Sequence, residues 1–444
     1  MDTLISGATV VTMNEGMEVL LGGFVGITDG KIVYLSKEAP KEKPAAIVDG
    51  SGMVLLPGLV HCHTHLAQTA LRNFFDDLSP KDSLEALLRF EARMDSKAAE
   101  AAVTMGVAEC LRMGITSVSD LYYYPEATAK VLDKAGMKGN LALSAYRFED
   151  QNEDFDFESD PQCQELRRLV EKWHGHDQGR IRMDAGIYAE YTSNYRLWEG
   201  MADFAREKGL GFQLHLSQTK SEREGCLDRT GLAPAELLNC HGVFNNKTCA
   251  VGCGHLTDQE IALLGKKHVS AVLTPEADAL KGRRTADVVT LLKAGMNVAL
   301  GSGGVEQVGS VDLFEEMRFA AAASRKADAD ATPLPASALL MLTTTCAARA
   351  QGREAECGMI KPGMDADLIL VDFTAPHLMP CHNVLNGLVF SAKGGDVAMT
   401  MVRGKILYQN GKFPTIDLSA VVEELVGEAI PKLFRKDTPV VEET

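Results

Sequence analysis

Apolar runs of strand length alternate with amphipathic stretches through most of this chain. Between about residues 56 and 355, most of the apolar runs are followed by a segment with apolar residues at helical spacing. We expect strands at Val54–His63, Ser117–Leu121, Leu141–Tyr146, Met183–Tyr188, Gly211–His215, Thr248–Gly252, Val269–Leu273 and Val298–Ser302. Eight such units over roughly 300 residues predict a (β/α)8 barrel of the TIM type, an α/β fold.

An open, doubly wound parallel sheet is the alternative architecture for the same alternation. That fold would place a glycine-rich phosphate loop between a strand and a helix. Gly301-Ser302-Gly303-Gly304 follows a strand, but it leads into Val305-Glu306-Gln307 without the required glycine spacing. The sequence therefore favours the closed barrel.

The two ends of the chain differ from its middle in their predicted secondary structure. Residues 1–55 and 356–415 contain short alternating strands and turn signals such as Asp29-Gly30, and we expect them to form one composite β-sheet (sandwich) domain. Residues 56–355 would form the barrel domain. Residues 416–444 would form a C-terminal amphipathic helix and tail, with the helix kinked or broken near Pro431.

Composition narrows the partners and the compartment. The 444 residues carry a net charge of −16, which argues against nucleic acid and against anionic membrane surfaces. No apolar run is long enough to span a bilayer, and the N-terminus lacks the features of a signal peptide. Ten cysteines without a C-x-x-C pair indicate reduced thiols. We therefore expect a cytoplasmic protein that binds a small molecule, and we also expect a homo-oligomer.

Histidines at alternate positions end the first barrel strand. His61, His63 and His65 point to one face of a strand, at about 6.6 Å spacing, so two neighbours can share a metal but three hardly can. We choose His63 and His65, and add His215 from the end of the fifth strand, because strand ends meet at one mouth of a barrel. Three neutral imidazoles suit one divalent ion, zinc first and iron or manganese as alternatives.

Several further stretches resemble the amidohydrolase superfamily, and within it the 5-methylthioadenosine/S-adenosylhomocysteine deaminases and triazine hydrolases. The matching segments, between about residues 1 and 415, are Leu56–Val60 with Cys62–His65, Phe75–Leu78, Glu91–Arg93, His215–Ser217, His255–Asp258, Asn297–Gly301, Phe314–Arg318 and Lys361–Leu368. The resemblance implies a metal-centred barrel with a composite sheet domain. It also implies hydrolysis of a C–N bond on an aromatic ring, such as that of an aminopurine nucleoside or another N-heteroarene.

The chain departs from this family pattern at four strand ends. The resemblance implies a glutamate at Gln218, a histidine at Gly252, an aspartate at Gly303 and often a histidine at Tyr188. An amide cannot act as a general base, and glycine has no side chain to bind metal. Three explanations stay open: a non-hydrolytic ligand-binding relative, an enzyme with a rebuilt acid–base set, or a site-altered variant of an active deaminase.

A rebuilt enzyme would need a proton acceptor from elsewhere in the mouth. Glu306 and Glu276 follow the eighth and seventh strands, and Glu190 and His255 lie after the fourth and sixth. Each also has an ordinary alternative, because loop carboxylates are commonly solvated charges and His255 belongs to a loop motif.

The residues expected to contact a substrate are less altered. The resemblance places Glu91 where the deaminases hold ribose hydroxyls, although a helix-surface glutamate is the ordinary alternative. Arg147 follows the third strand and could pair with a substrate carboxylate. Tyr188 and Gln218 complete the expected substrate-binding set.

Overall fold

Two eight-stranded sheets organise the described part of the chain, which in this computed structural model comprises residues 1–78, 80–147, 155–325 and 334–435. The strands are β1 Thr3–Val11, β2 Val19–Thr28, β3 Lys31–Ser36, β4 Ala46–Asp49, β5 Met53–Pro57, β6 Leu59–Thr64, β7 Ile115–Tyr122, β8 Lys138–Leu143, β9 Ile181–Gly186, β10 Gly211–Leu216, β11 Lys247–Gly252, β12 Ser270–Leu273, β13 Asn297–Leu300, β14 Leu368–Asp372, β15 Val397–Val402 and β16 Lys405–Gln409.

Strands β6 to β13 form the barrel in chain order, and every neighbouring pair is parallel. The seam between the last and the first strand is closed just beyond β13, where Gly303 makes a parallel bridge to Thr64. The Gly303 backbone N–H also donates to the His63 carbonyl oxygen at 3.1 Å. This closure confirms the predicted barrel over the open sheet, and it places Gly303 beside the histidine strand.

Helices separate most of the barrel strands and cover the barrel. The α-helices are Pro80–Glu91, Ser96–Arg112, Pro125–Ala135, Pro161–Trp173, His176–Gly179, Tyr195–Lys208, Lys220–Thr230, Pro234–Cys240, Asp258–Lys266, Pro275–Leu280, Val288–Lys293, Val305–Val308, Leu313–Ser324, Ala336–Thr343, Thr345–Ala350, Val384–Phe390, Leu418–Val422 and Ile430–Leu433. Short 3-10 helices are Leu66–Leu71, Glu190–Thr192, Val243–Asn245, Pro376–Leu378 and Gly394–Asp396.

The composite sheet joins both ends of the chain, as predicted. Its strand order is β16-β15-β14-β5-β1-β2-β3, and β4 pairs with β1. The predicted first barrel strand, Val54–His63, is wrong as a single element. The run divides at Gly58, because β5 pairs in the composite sheet and β6 pairs in the barrel. A Cβ atom at Gly58 would meet Thr116 Cγ2 at 2.2 Å, so glycine is needed at the junction. The predicted domain limits themselves stay predictions.

The third barrel strand lies earlier than predicted, at Lys138–Leu143 instead of Leu141–Tyr146. Its first residue, Lys138, is fully buried. Its ammonium contacts Asp365 at 2.6 Å and Asp367 at 2.5 Å, which ties the barrel to the segment before β14. Neutralisation by two carboxylates is what permits a lysine in a core strand.

The C-terminal segment is helical through Leu433, as the apolar spacing predicts. A π-helical stretch, Glu423–Ala429, lies between the two short α-helices and directly before the turn that contains Pro431. A wider turn accommodates the missing proline N–H without ending the helix. None of the helices in the described ranges combines the length and the apolar character that crossing a bilayer requires.

Candidate active site

Three buried histidines meet at the carboxyl end of the barrel strands. His63 lies on β6, His65 follows that strand directly, and His215 lies on β10. The ring centroids of His63 are 4.7 Å from His65 and 4.8 Å from His215, and the Nε2 atoms of His63 and His215 are 3.1 Å apart. One ligand atom from each residue lies within 4.8 Å of the others. The structure therefore brings the three predicted ligands together.

The environment of these rings fits a divalent metal ion. The Nδ1–H of His65 donates to the Leu121 carbonyl at 2.8 Å, and that of His215 donates to the Tyr188 carbonyl at 3.0 Å. These bonds leave both Nε2 lone pairs directed at the site, the usual arrangement around a bound metal. Burial lowers the pKa of His65 to about 4 and that of His215 to about 3, so the rings are neutral at pH 7. Burial also lowers the pKa of His63 well below its usual range.

His61 does not join the other three. Its Nε2 lies 2.8 Å from Ser302 Oγ and accepts from the Ser302 backbone N–H at 3.2 Å. The residue is fully buried and links β6 to the segment after β13. It therefore holds the barrel seam, in agreement with the expectation that only two of the alternate histidines can share a metal.

The positions that depart from the family pattern lie on strand ends next to those of the histidines. Gly252 ends β11 with φ +97°, and a Cβ atom there would lie 3.0 Å from Gln218 Cβ. Gly303 has φ +73°, and a Cβ atom there would lie 3.6 Å from Gln307 Nε2. The backbone N–H of Gln218 is held by Glu222 Oε2 at 2.7 Å. Within the described ranges, no carboxylate completes a metal cluster with the histidines.

Glu306 is the predicted replacement base with the most suitable surroundings. Its carboxylate is buried, with 6% of the residue exposed, and accepts from Gln307 Nε2 at 2.9 Å. The Gln68 amide nitrogen, oriented to satisfy the hydrogen bonds of both residues, donates to the two carboxylate oxygens at 3.1 and 2.9 Å. Burial raises the pKa of Glu306 to about 7. Burial raises the pKa of Tyr122 and of Tyr188, and the negative charge of Glu306 adds to this effect. The Tyr122 ring lies beside His65, and the Tyr188 ring lies beside His215.

The other predicted bases have different surroundings. Burial also raises the pKa of Glu276 to about 7, but this residue starts a helix beside Glu316, whose Oε2 accepts from its backbone N–H at 3.1 Å. The Glu190 carboxylate pairs with Arg229 at 2.7 Å. His255 is partly exposed, and burial lowers its pKa. Among the described residues, no hydrogen bond or ring contact joins any of these three side chains to the histidine cluster.

Two of the predicted substrate contacts lie at the histidine cluster. Tyr122 Oη donates to Glu91 Oε1 at 2.8 Å, and the Tyr122 ring centroid is 5.8 Å from that of His65. The Tyr188 ring is 4.5 Å from the His215 ring. Burial raises the pKa of Glu91.

Arg147 is engaged elsewhere. Its Nη1 contacts Asp160 at 3.2 Å, and its guanidinium lies over the Phe155 ring at 4.9 Å. Asp160 is the N-cap of the helix Pro161–Trp173, so this pairing stabilises a helix start. The predicted role of Arg147 in binding a substrate carboxylate stays a prediction.

Sequence reasoning missed Arg283, in the loop after the seventh barrel strand. Its Nε donates to Asp278 Oδ1 at 3.0 Å, and its Nη2 donates to Gln307 Oε1 at 3.1 Å. The positive charge adds to burial in lowering the pKa of His63 and His215. The available signal was Arg283-Arg284 in a loop at the carboxyl end of a barrel strand, where binding residues concentrate.

Comparison with known proteins identifies relatives over almost the full chain. Residues 54–407 match the Amidohydrolase family. The 5'-deoxyadenosine deaminase of Methanosarcina mazei is 34% identical over 95% of this chain and 96% of its own length. The 5-methylthioadenosine/S-adenosylhomocysteine deaminase of Acetivibrio thermocellus is 32% identical over 94% of this chain and 96% of its own length.

A solved structure extends the similarity to a metalloprotein. The zinc-bound adenosine deaminase of Xanthomonas campestris superimposes with a TM-score of 0.89 at 28% identity, over 96% of this chain and 97% of that one. The resemblance predicted from the motifs is therefore confirmed along the barrel and the composite sheet.

Proposed function

Because the chain belongs to the amidohydrolase family, we propose that it is a divalent-metal-dependent hydrolase acting on a C–N bond of a small nitrogen heterocycle. The convergence of His63, His65 and His215 at the barrel mouth is the observation that carries this proposal. The relatives named above are deaminases of adenosine-type nucleosides. Such nucleosides are therefore the first substrate class to test.

The three imidazoles would hold the ion, with zinc as the first candidate and iron or manganese as alternatives. An ion bound there would act as a Lewis acid and lower the pKa of water at the site. The carbonyls of Leu121 and Tyr188 fix the tautomers of His65 and His215, so little reorientation is needed to present their Nε2 atoms.

The usual proton-transfer groups of the deaminases are replaced at Gln218, Gly252 and Gly303. General acid–base groups contribute about 10²–10⁴-fold each. We therefore expect slow deamination of 5-methylthioadenosine and S-adenosylhomocysteine, or a changed reaction. A relative that binds these ligands without turnover is the alternative outcome.

Glu306 would take over proton transfer in the rebuilt site. Its pKa of about 7 allows it to accept and return a proton near neutral pH. Gln68 and Gln307 hold both carboxylate oxygens, and Gln307 lies beside the empty side-chain position of Gly303. Glu276 and His255 are second choices, because no described hydrogen bond connects either side chain to Gln68 or Gln307, the two amides that hold Glu306.

Glu91 and Tyr188 would position the substrate. Glu91, already a partner of Tyr122, can accept from the vicinal hydroxyls of a ribose. Tyr188 presents a ring beside His215, against which a planar heterocycle can pack. A cytoplasmic location and a homo-oligomeric state belong to the same proposal, and light scattering of the purified protein tests the second.

Metal analysis combined with a substrate screen tests the proposal. The purified protein should hold about one zinc, iron or manganese ion per chain. A panel of adenosine-type nucleosides and N-heteroarenes, assayed for ammonia release, should contain at least one substrate. Metal-free protein that regains no activity with any divalent ion, or a loaded protein that binds panel members by thermal shift without product, would contradict hydrolysis.

A further inference from the structure

Arg283 is a fixed cation at the rim of the histidine site. Its side chain is 19% exposed, and its backbone N–H donates to the Asp278 carbonyl at 2.7 Å. Asp278 holds Nε and Gln307 holds Nη2, which fixes the plane of the guanidinium. Both partners lie on short helices that follow barrel strands, Asp278 on Pro275–Leu280 and Gln307 on Val305–Val308. A guanidinium held in this way loses little further entropy when it binds a ligand.

The position of Gln307 relates this guanidinium to the histidines. Gln307 Nε2 lies 3.6 Å from the place where a Gly303 side chain would begin, and the Gly303 N–H donates to the His63 carbonyl. Through Gln307, Arg283 therefore lies near the position where Gly303 has no side chain. The family resemblance implies an aspartate at residue 303, so a cation now approaches a place where a carboxylate is expected.

The guanidinium retains unused donors. Nε bonds to Asp278 and one Nη2 hydrogen bonds to Gln307, and the structure provides no acceptor among the described residues for the other three N–H groups. An arginine fork with two adjacent free N–H groups matches a carboxylate or a phosphate. Asp278 balances the positive charge of Arg283. Residues 218, 252 and 303 carry no negative charge, and the Glu306 carboxylate is held by Gln68 and Gln307.

We propose that Arg283 binds an oxyanion, a carboxylate or a phosphate, on the small molecule that occupies the barrel mouth. This inference rests on the proposed function, because it assumes that the ligand lies at the histidines. It narrows the ligand class to anionic nitrogen heterocycles and makes neutral nucleosides poorer ligands. The oxyanion would supply the negative charge that the glycine at residue 303 does not.

Paired probes that differ in charge but not in shape test this assignment. Purine-6-carboxylate and purine-6-carboxamide are titrated by calorimetry into zinc-loaded protein and into metal-free protein. We expect the carboxylate to bind at least about tenfold more tightly in both forms, since charge-assisted bonds are about twice as strong as neutral ones. Arg283→Gln should abolish that preference. Arg284→Gln, which changes the exposed neighbouring arginine, should retain it.

Further variants separate ligand binding from a structural role of Arg283 between the helices that carry Asp278 and Gln307. Arg283→Lys keeps the charge without the fork and should retain part of the preference. Gln307→Glu places a carboxylate against the intact guanidinium and should remove the preference even if Arg283→Gln does not fold. Inorganic phosphate, used as a competitor, should displace purine-6-carboxylate and shows by its Kd which oxyanion is preferred.

Equal binding of the two probes by the unaltered protein would overturn the inference, as would no binding of either. So would a preference that persists in folded Arg283→Gln, because Arg283 would then serve only to connect the helices that carry Asp278 and Gln307. A protein that binds zinc and turns over a neutral heterocycle, without any preference for the anion, refutes this inference alone. A protein that binds no metal refutes the proposed function, while the metal-free titration still reports on Arg283.

Discussion

Two pairs of strand ends at the barrel mouth differ in what they present to the site. At the ends of β6 and β10, His63, His65 and His215 are buried, and backbone carbonyls fix the tautomers of the last two. At the ends of β11 and β13, Gly252 and Gly303 adopt φ values of +97° and +73°. The first pair carries three imidazoles, whereas the second pair presents backbone.

At these two glycines the backbone conformation differs as well, in addition to the missing side chain. L-residues rarely adopt such positive φ values, so the backbone itself suits glycine. Gln218 lies against the Gly252 position, and Gln307 lies near the Gly303 position, where it also links Glu306 to Arg283. The ends of β11 and β13 are therefore lined by amides, and Gln307 joins a buried carboxylate to a guanidinium there.

Removing the three histidine side chains should have the largest effect, on the metal content. We expect the triple variant of His63, His65 and His215 to alanine to lose stoichiometric metal, because none of the three imidazole ligands remains. Elemental analysis after dialysis measures the metal content per chain.

His377→Ala is the matched control, because His377 is an exposed histidine that pairs with Asp396 and lies outside the cluster. It should keep the full metal content. Tight retention of metal by the triple variant would show that another set of ligands holds the ion.

The histidine cluster was also the more predictable part of the site. A period of two along a strand places His63 and His65 on one face, and the convergence of strand ends brings in His215.

The remaining features depend on contacts between residues distant in the sequence. Lys138 can lie in a core strand because Asp365 and Asp367, far along the chain, neutralise it. Glycine is needed at residue 58 because the backbone passes close to Thr116. Arg283 acquires its position only through Asp278 and Gln307. Local pattern carries no information about such partners, which is why a strand limit and a cation at the site were missed.

Glu306→Gln should have the next largest effect, on catalysis. The amide keeps the shape of the buried side chain but cannot accept a proton, so we expect ammonia release to fall about 10²–10⁴-fold. The limb of the pH–rate profile near pH 7 should disappear, while the metal content remains. Steady-state assays between pH 5 and 9 measure both effects.

Glu276→Gln is the control for this variant, because burial raises the pKa of both glutamates to about 7. It should leave the rate nearly unchanged. A large loss in Glu276→Gln, with little loss in Glu306→Gln, would reassign the base to the seventh strand.

The same carboxylate should make stability depend on pH. The folded-state pKa of Glu306, about 7, lies above the ordinary value of 4.5, so the folded protein binds this proton more tightly than the unfolded chain. Its contribution is fully present below pH 4.5 and is lost as the pH rises through 7. The loss is up to about 3 kcal/mol, at 1.36 kcal/mol per pKa unit.

Urea unfolding of metal-free protein at pH 5 and pH 8 measures this term. Glu306→Gln should lose less free energy of unfolding between these two pH values than the unaltered protein. An identical pH dependence in both proteins would place the carboxylate in a more hydrated setting than the structure shows.

Gly252→His should destabilise the protein before it can return a catalytic group. The positive φ costs about 1–3 kcal/mol for a side-chain-bearing residue, and the new Cβ atom would crowd Gln218. Thermal unfolding should show the same direction for Gly252→Ala. Gly395→Ala is the control, since no atom lies within 4 Å of a Cβ built there. Equal melting temperatures for the two alanine variants would contradict backbone strain at residue 252.

Gly303→Asp should have the smallest effect on stability. It tests whether a side chain at residue 303 can raise the affinity for zinc. The position has room, because the nearest atom is Gln307 Nε2 at 3.6 Å, and aspartate tolerates positive φ better than most residues. The new carboxylate would add negative charge beside three neutral imidazoles, so zinc should bind more tightly, by about tenfold for each 1.4 kcal/mol gained.

Gly303→Asn separates charge from backbone strain, because asparagine has nearly the same shape and φ preference as aspartate. Competition with a chelator should show tighter zinc binding for the aspartate variant only. The aspartate should also weaken the preference for an anionic ligand, since it places negative charge where the oxyanion is proposed to bind. If both variants bind zinc equally, the side chain at residue 303 does not reach the ion. The bridge between Gly303 and Thr64 would then have a structural role only, in closing the barrel.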